Sequence, residues 1–388
     1  MANSVEIRVD NLLGRARSVT GLEDFGDPWF LEPLNVLIDM INRDARLVSD
    51  EVPPVQTLVG HLADRLRMTD YVRRNPAVLD EKVEVAGVVI AHARGGSTLL
   101  QSILTSSPRL TAPRWWELIT PMPLPGEARG EFAGRIRIAQ EWMDGFQAEN
   151  PKVKAIHPMD PMNYEEEAPF FNYSLLSIMH SCYFNVPKYS VWAARQDYTK
   201  VYEELRLWLQ FLQYQDRSRK GKKWLLKSIQ HLLSGNIRTM LAAFPEAKVL
   251  MTHRNMESVI GSLCSAQTIF LEPSGSTTVD LTKLGAPMVE TYQIAMSCLA
   301  EARKELPGDL FIDVGYRELV TDTLHEFDRA MTLMGMSPTP EDKACAQAWM
   351  AAHPRGSFPA HEYSLQEYGL QPDAVANIFR GYHEQFKL

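Results

Sequence analysis

Residues 88–100 read Val-Val-Ile-Ala-His-Ala-Arg-Gly-Gly-Ser-Thr-Leu-Leu, and this order of residue types predicts a buried strand, a glycine turn and a helix. The first N–H groups of such a helix have no partner inside it, and they point at whatever lies before it. Gly95 and Gly96 let the backbone approach an oxygen-rich ligand, and Arg94 adds a guanidinium. The segment therefore predicts a binding site for phosphate or a similar anion.

One residue of this turn disfavours a magnesium-dependent nucleotide site. In the common nucleotide loop a lysine follows the last glycine, and a Ser or Thr that binds magnesium comes next. Here Ser97 occupies the lysine position and Thr98 follows it. The turn suits a phosphate group but lacks the cation that kinases use. A kinase of the phosphate-loop type and an ordinary strand–helix turn stay open as alternatives.

The composition is that of a soluble globular protein. The chain has 388 residues, of which 45% are hydrophobic and 23% charged, and its formal net charge is -8. A negative chain lacks the basic field that broad nucleic-acid binding needs, so we expect no nucleic-acid partner. An anionic cofactor must then be held by a local cluster of Arg and Lys.

The first residues and the cysteines predict a cytoplasmic protein. The sequence begins without a basic segment followed by an apolar one, which an export signal would need. It also has no apolar run near the ~18 residues of a membrane span. The cysteines, Cys182, Cys264, Cys298 and Cys345, are scattered, which favours reduced thiols over a zinc site or a disulfide framework.

The apolar pattern divides the chain into two regions. Residues from about 5 to 74 carry apolar side chains at helical spacing, and we predict a helical cap over residues 1–80. A separate small helical domain is the alternative. Over residues 81–388, predicted strands alternate with predicted helices, which indicates one α/β domain.

This alternation predicts a central parallel sheet flanked by helices. The four predicted strands are residues 83–90, 224–228, 248–254 and 310–314. Four polar residues come at or just past the end of a strand: Arg94, Lys227, Arg254 and Tyr316. Ligands bind such sheets at the carboxyl ends of the strands, so we expect one edge of the sheet to gather all four.

The glycine turn resembles the 5′-phosphosulfate loop of sulfotransferases, whose usual form is Arg-Ser-Gly-Thr-Thr-Leu-Leu or Arg-Thr-Gly-Thr-Thr-Leu-Leu. The positions that match this form are Arg94, Gly96, Thr98, Leu99 and Leu100. Gly95 and Ser97 depart from it mildly. His92 stands where this family commonly has an apolar residue. The resemblance implies a sulfotransferase fold over residues 81–388, with the loop binding 3′-phosphoadenosine 5′-phosphosulfate (PAPS).

A second segment carries the same resemblance. Residues 224–232 read Trp-Leu-Leu-Lys-Ser-Ile-Gln-His-Leu, which resembles the form Trp-Val-Leu-Lys-Ser-Pro-x-His-Leu of bacterial sulfotransferases, with Ile229 in place of the proline. In the family, the lysine at the position of Lys227 approaches the bridging oxygen of the phosphosulfate. A cation there would stabilise the charge that builds on the leaving oxygen. A solvated lysine at a strand end is the alternative.

The resemblance also implies the residues that bind the nucleotide. Arg254 and Ser262, about two helical turns apart, match the pair that holds the 3′-phosphate in sulfotransferases. Tyr316 resembles the tyrosine that packs near the adenine. Arg355 and Gly356 resemble the loop that closes over the 3′-phosphate. Each also has a structural explanation: a sheet-edge arginine, a helix-surface serine, a core tyrosine and an exposed loop arginine.

Sulfuryl transfer to a hydroxyl needs a general base, and three residues are candidates: Glu117, His231 and His157. Glu117 is the first, because some sulfotransferases place a catalytic glutamate after this helix and adjacent tryptophans could desolvate it. His231 corresponds in segment to the catalytic histidine of other sulfotransferases. His157 is third. Glu166 has a family counterpart, although a run of three glutamates is also typical of a solvated helix start.

Together these residues predict a PAPS-dependent sulfotransferase that acts without a metal. The acceptor is expected to be a small apolar or aromatic molecule, and its reacting group a hydroxyl, with an amine as the alternative. Two alternatives remain: a phosphate-loop kinase, and a non-catalytic nucleotide-binding protein of the same fold. The sequence makes no prediction about oligomeric state.

Overall fold

The computed structural model describes residues 4–90, 92, 95–149, 159–271, 273–353 and 364–388. The strands in chain order are β1 (Val85–Ile90), β2 (Leu110–Thr111), β3 (Lys223–Ser228), β4 (Lys248–His253) and β5 (Phe311–Gly315). The α-helices are α1 (Val9–Thr20), α2 (Leu31–Met40), α3 (Pro53–Arg74), α4 (Ser97–Thr105), α5 (Trp115–Ile119), α6 (Ala133–Glu149), α7 (Ala168–Tyr173), α8 (His180–Tyr183), α9 (Lys188–Ala193), α10 (Thr199–Gln215), α11 (Ile229–Leu233), α12 (Ile237–Ala243), α13 (Met256–Thr268), α14 (Gly285–Glu305), α15 (Tyr316–Thr321), α16 (Thr323–Leu333), α17 (Pro340–Ala352), α18 (Pro372–Ile378) and α19 (Arg380–Phe386). Short 3₁₀ or π turns lie at Pro28–Phe30, Ile41–Ala45, Pro76–Val78, Arg217–Arg219, Leu281–Lys283, Gly308–Leu310 and Leu365–Tyr368. Within these ranges no helix has both the length and the apolar character to cross a membrane.

The five strands form one sheet in the order β2-β3-β1-β4-β5, and every neighbouring pair is parallel. At the end of β1, Ile90 pairs with Ser228 of β3 and with Met251 of β4. The carboxyl ends of these strands therefore meet at one edge, as predicted. The α/β class is confirmed. The strand β2 was not predicted, because two residues are too short to produce a period.

Apolar side chains cover both faces of the sheet. All six residues of β1 are buried, since Val88 and Ile90 join one apolar cluster and Val89 joins another. A strand covered on both faces needs an almost continuous apolar run, which is the pattern that predicted it.

The N-terminal helices pack on one of these two faces. Apolar residues of α1, α2 and α3 belong to the same cluster as Val88 and Ile90. On α3, buried Arg65 binds Glu204 of α10 at 2.6 Å and donates to the carbonyl of Tyr173 at 3.3 Å. A separate helical domain with its own core does not fit this packing. The boundary near residue 80 stays a prediction.

The C-terminal segment, residues 364–388, packs across α13 and α14. Next to Gly285, the backbone oxygen of Tyr368 and the side chain of Leu370 lie within 2.4 Å of where a Cβ would be. On α19, His383 Nε2 accepts a hydrogen bond from the Met256 N–H at 3.0 Å, at the start of α13. The C-terminal helix is thus attached to the edge of the sheet where β4 ends.

Candidate active site

The glycine turn is held tightly between β1 and α4. Gly96 precedes α4 with φ +87°, a backbone conformation that glycine adopts easily. A Cβ on Gly95 would lie 2.8 Å from Thr252 Oγ1, and one on Gly96 would lie 3.0 Å from Tyr316 Cδ2. Larger residues would therefore push the turn away from the ends of β4 and β5.

The residues that follow the turn fit an anion. Helix α4 begins at Ser97, which is buried, and continues with exposed Thr98 and half-buried Leu99. Its first N–H groups face the turn, and no acidic residue lies in its first turn. Thr252 Oγ1 is buried beneath Gly95 and has no hydrogen-bond partner in the described part of the chain. These donors can bind phosphate oxygens.

Arg254 and Tyr316 lie directly beside this turn. The Arg254 guanidinium carbon is 5.3 Å from the centre of the Tyr316 ring, which is within the range of a cation–π contact. Tyr316 begins α15 and is 40% exposed, so it is not the core tyrosine of the structural alternative. Because its ring also meets Gly96, the turn, the tyrosine and the arginine are contiguous. Ser262 is buried on α13, about two turns after Arg254.

Lys227 lies one strand away, near the end of β3. Its side chain is buried, and Nζ is 3.2 Å from Glu166 Oε2 and 3.7 Å from Glu165 Oε1. Burial alone would lower the pKa of Lys227, but the two carboxylates outweigh it and raise the pKa above its usual value. The lysine is therefore a fixed positive charge in a desolvated position, not a solvated strand end.

Glu166 is the accessible member of a run of three glutamates. Its side chain is 32% exposed, whereas Glu165 and Glu167 are buried. The expectation of a solvated helix start is wrong for these two, because their carboxylates face the buried groups of β3. Gln101 of α4 donates to the Glu165 carbonyl at 3.3 Å, which ties this segment to the helix of the glycine turn.

His231 contacts Glu167, which in turn binds the backbone of strand β3 at Lys227. The ring is fully buried, with Nε2 2.5 Å from Glu167 Oε1 and Nδ1 3.1 Å from the Tyr202 hydroxyl. The other oxygen of Glu167 accepts from the Lys227 backbone N–H at 3.0 Å. Both ring nitrogens are thus engaged. The geometry favours a positioning role for His231 over proton abstraction.

Glu117 lies in a buried ion pair. Arg219 donates to both of its oxygens, at 2.7 and 2.6 Å, and the Arg114 backbone N–H donates at 2.6 Å. Glu117 and Arg219 each expose about 1% of their side chains. A carboxylate that is held by a guanidinium and shielded from solvent is poorly placed to deprotonate an acceptor, so the geometry favours a structural role.

The structure adds groups that the sequence analysis did not single out, and it leaves others untested. Glu165, Glu167 and Tyr202 surround Lys227 and His231, but nothing in the sequence near these residues indicates that they are buried together. Four predicted site residues lie outside the described residues: Arg94, His157, Arg355 and Gly356.

Comparisons with known proteins bear on the family and the fold. A model of the sulfotransferase family matches residues 88–340. The fold is similar to that of sulfotransferase STF9 from Mycobacterium avium, with a TM-score of 0.85, 23% identity, and coverage of 98% of this chain and 97% of that one. It is also similar to sulfotransferase STF1 from Mycobacterium tuberculosis H37Rv, with a TM-score of 0.82, 27% identity, and coverage of 98% and 100%. No curated protein matches the sequence significantly.

Proposed function

The chain belongs to the sulfotransferase family, and we propose that it transfers a sulfuryl group from PAPS to the hydroxyl of a small molecule. One observation carries the proposal: the glycine turn, the Tyr316–Arg254 contact and buried Lys227 lie on neighbouring strand ends of one sheet. The three features correspond to an anion site, a second phosphate site and a fixed cation. A doubly phosphorylated nucleotide with a reactive sulfate needs all three.

The nucleotide contacts follow from the family resemblance and fit the residues present. The N–H groups at Gly95–Thr98 would bind the 5′ end, and Leu99 would keep the start of α4 packed on the core. Arg254 and Ser262 would bind the 3′-phosphate, and Tyr316 would lie next to the adenine. Arg94, Arg355 and Gly356 stay predictions from the sequence.

Lys227 is the group that we assign to the leaving oxygen. Bound PAPS supplies the sulfuryl group and a phosphate that departs with negative charge. A preplaced cation stabilises that charge best where water is excluded, and Lys227 is buried. Glu165 and Glu166 keep the ammonium charged, while Glu167 and His231 fix the strand that carries it.

Glu166 is the general base that the geometry favours. It is the accessible carboxylate beside Lys227, whereas Glu117 and His231 are enclosed in other contacts. A base must reach the hydroxyl proton while the acceptor faces the sulfuryl group. A partly exposed carboxylate next to the leaving-group cation meets that requirement.

Aromatic side chains near Glu166 support an aromatic or apolar acceptor. Burial raises the pKa of Tyr183, and the nearby Cys182 thiol and Glu166 carboxylate raise it further. The Tyr183 ring packs edge-on against Phe270 at 5.1 Å between centroids. A flat apolar alcohol could pack against such rings while its hydroxyl reaches the carboxylate.

The test combines a binding and a turnover measurement. We expect 3′-phosphoadenosine 5′-phosphate (PAP) to bind in calorimetry, and labelled sulfate from PAPS to pass to members of a panel of phenols and aliphatic alcohols. Lys227→Ala should lower turnover by about 10²–10³ and leave PAP affinity largely intact. Lys223→Ala, at the other end of the same strand, is the control.

Three outcomes would contradict the proposal. PAP that fails to bind at millimolar concentration would remove its basis. Magnesium-dependent turnover of ATP would favour the kinase. PAP binding without transfer to any member of the panel would favour a non-catalytic nucleotide-binding protein.

A further inference from the structure

A chain of hydrogen bonds connects the glycine turn to the far strands of the sheet. His92, two residues after β1, lies 3.1 Å through Nε2 from the Tyr382 hydroxyl of α19. The same hydroxyl lies 3.0 Å from Nδ1 of His253, the last residue of β4. His253 Nε2 lies 2.8 Å from Asp313 Oδ1 on β5. Arg303 of α14 also pairs with Asp313.

The two ends of this chain have opposite environments. His92 is fully buried, and its Nδ1 has no hydrogen-bond partner among the described residues. Burial, together with the nearby His253, lowers the pKa of His92 to about 3, so this ring is neutral near pH 7. The Asp313 side chain is 39% exposed. Burial alone would raise its pKa, but hydrogen bonds from His253 and Arg303 lower it to about 2.

The hydrogen bonds that link His92, Tyr382, His253 and Asp313 can be arranged in two ways, which differ in which atoms donate. Asp313 is ionised and accepts, so His253 must donate from Nε2. When His253 is neutral, the Tyr382 hydroxyl donates to His253 Nδ1. The phenolic oxygen then accepts from His92 Nε2–H, and His92 Nδ1 is left as an acceptor.

One added proton reverses both hydrogen bonds of the Tyr382 hydroxyl, while His253 Nε2 still donates to Asp313. The proton enters at His92 Nδ1, the Nε2 proton passes to the Tyr382 oxygen, and the phenolic proton passes to His253 Nδ1. His253 then carries the positive charge and donates from both nitrogens, while His92 presents an N–H donor at Nδ1. The charge pairs with Asp313, and the new N–H belongs to His92, whose backbone carbonyl accepts from the Gly95 N–H at 3.1 Å.

We propose that His92, Tyr382 and His253 are positioning residues that couple nucleotide binding at the glycine turn to the uptake of one proton. The inference rests on the proposed function, because it assigns a polyanionic nucleotide to this turn. An anion favours the arrangement with an N–H donor at His92 and a positive charge at His253. In the neutral arrangement His253 carries no charge.

Several charged and titratable groups surround these hydrogen-bonded residues. The charged and titratable groups on the elements packed around it are Arg254 after β4, Tyr292 and Arg303 on α14, Asp313 on β5 and His383 on α19. The His92 ring stacks on Tyr292, with centroids 5.8 Å apart, but the hydroxyl of Tyr292 has no hydrogen-bond partner among the described residues. Tyr292 therefore contacts His92 without being part of the chain of hydrogen bonds.

The experiment is calorimetry of PAP binding to the full chain, in buffers of different ionisation enthalpy, at several pH values between about 6 and 8. Wild type should take up more protons than Tyr382→Phe, which keeps the ring and removes the bridging hydroxyl. Because the bound form holds the extra proton, the affinity of wild type for PAP should fall as pH rises. For each pH unit, this fall should exceed the fall in Tyr382→Phe by a factor of up to about ten. Tyr292→Phe should behave as wild type.

Each outcome bears on one proposal. The phosphates of PAP titrate near this pH themselves, so the contrast between variants is the readout. If PAP binds with equal proton uptake in wild type and Tyr382→Phe, the coupling is overturned while the proposed function stands. If PAP does not bind wild type, the proposed function fails first. Asp313→Asn, which removes the carboxylate partner of His253, should also reduce the uptake and serves if Tyr382→Phe does not fold.

Discussion

Glu117 and Glu166 have the same carboxylate group, but one is enclosed by the protein and the other is partly exposed. Glu117 is enclosed by Arg219 and a backbone N–H, whereas one third of the Glu166 side chain is exposed beside Lys227. A carboxylate with all its hydrogen bonds made inside the protein stabilises the fold, and one that is accessible to a ligand can exchange protons with it. Substitution to glutamine should therefore affect the two residues differently.

Glu117→Gln is expected to reduce stability more than chemistry. It leaves the buried Arg219 guanidinium without its main counter-ion, which should cost about 3 kcal/mol, at the lower end for a broken buried pair because Asp216 also faces Arg219. Denaturant unfolding measures the loss. If stability is unchanged and turnover of the folded variant collapses, Glu117 is the base after all.

Glu166→Gln is expected to reduce turnover and keep the fold. Loss of a general base should slow transfer by about 10²–10⁴, with PAP affinity and unfolding free energy close to wild type. The exposed Glu203→Gln is the matched control. A fully active Glu166→Gln would rule this base out.

At the scale of elements, the glycine turn depends on the strand beside it. Helix α4 supplies the donors, but the ends of β4 and β5 set the turn's position through Thr252 and Tyr316. Two strands thus fix the geometry of one loop. A substitution that moves the glycine turn away from these strand ends should weaken PAP binding without unfolding the protein.

Comparing substitutions at Gly96 and Gly126 distinguishes the effect of backbone strain from the effect of contact with Tyr316. Gly96 and Gly126 both have positive φ, +87° and +79°, but only the Gly96 position is crowded, since a Cβ on Gly126 meets nothing within 4 Å. Gly96→Ala and Gly126→Ala should each lose about 1–2 kcal/mol of stability. Gly96→Ala alone should weaken PAP binding, by more than tenfold in calorimetry. Equal affinities would argue against nucleotide contact at this turn.

At the scale of the whole molecule, one apolar cluster joins the N-terminal helices, the sheet and the C-terminal segment. It contains residues from α1 to α19, including Leu12, Val88 and Tyr382. An element that contributes to a shared core cannot unfold without exposing the others. Residues 1–80 are therefore expected to unfold together with the sheet.

Arg65→Met tests this coupling. Arg65 is buried between α3 and α10, so its loss should cost about 3 kcal/mol and shift a single unfolding transition followed by tryptophan fluorescence and by circular dichroism. Arg73→Met, an exposed pair on the same helix, should change stability by less than about 1 kcal/mol. Two separate transitions would favour an independent helical domain.

The sequence predicted the parts of this molecule that depend on local pattern. Short apolar runs located β1 and the longer strands, and the polar residues at or just past the strand ends pointed to the edge of the sheet. Contacts between residues far apart in sequence could not be predicted from it. Nothing near Glu117 indicated Arg219, and nothing near His92 indicated Tyr382. Burial of charged groups is decided by such partners, so the assignment of the base required the fold.

The contact between His92 and Tyr382 spans 290 residues of sequence. Closing so long a segment has a large entropic cost, and contacts of this kind form slowly during refolding. After dilution from denaturant, helical content should return before the turn acquires its final geometry. Regain of nucleotide binding would then lag behind regain of secondary structure, and this interval is when the chain is most exposed to aggregation.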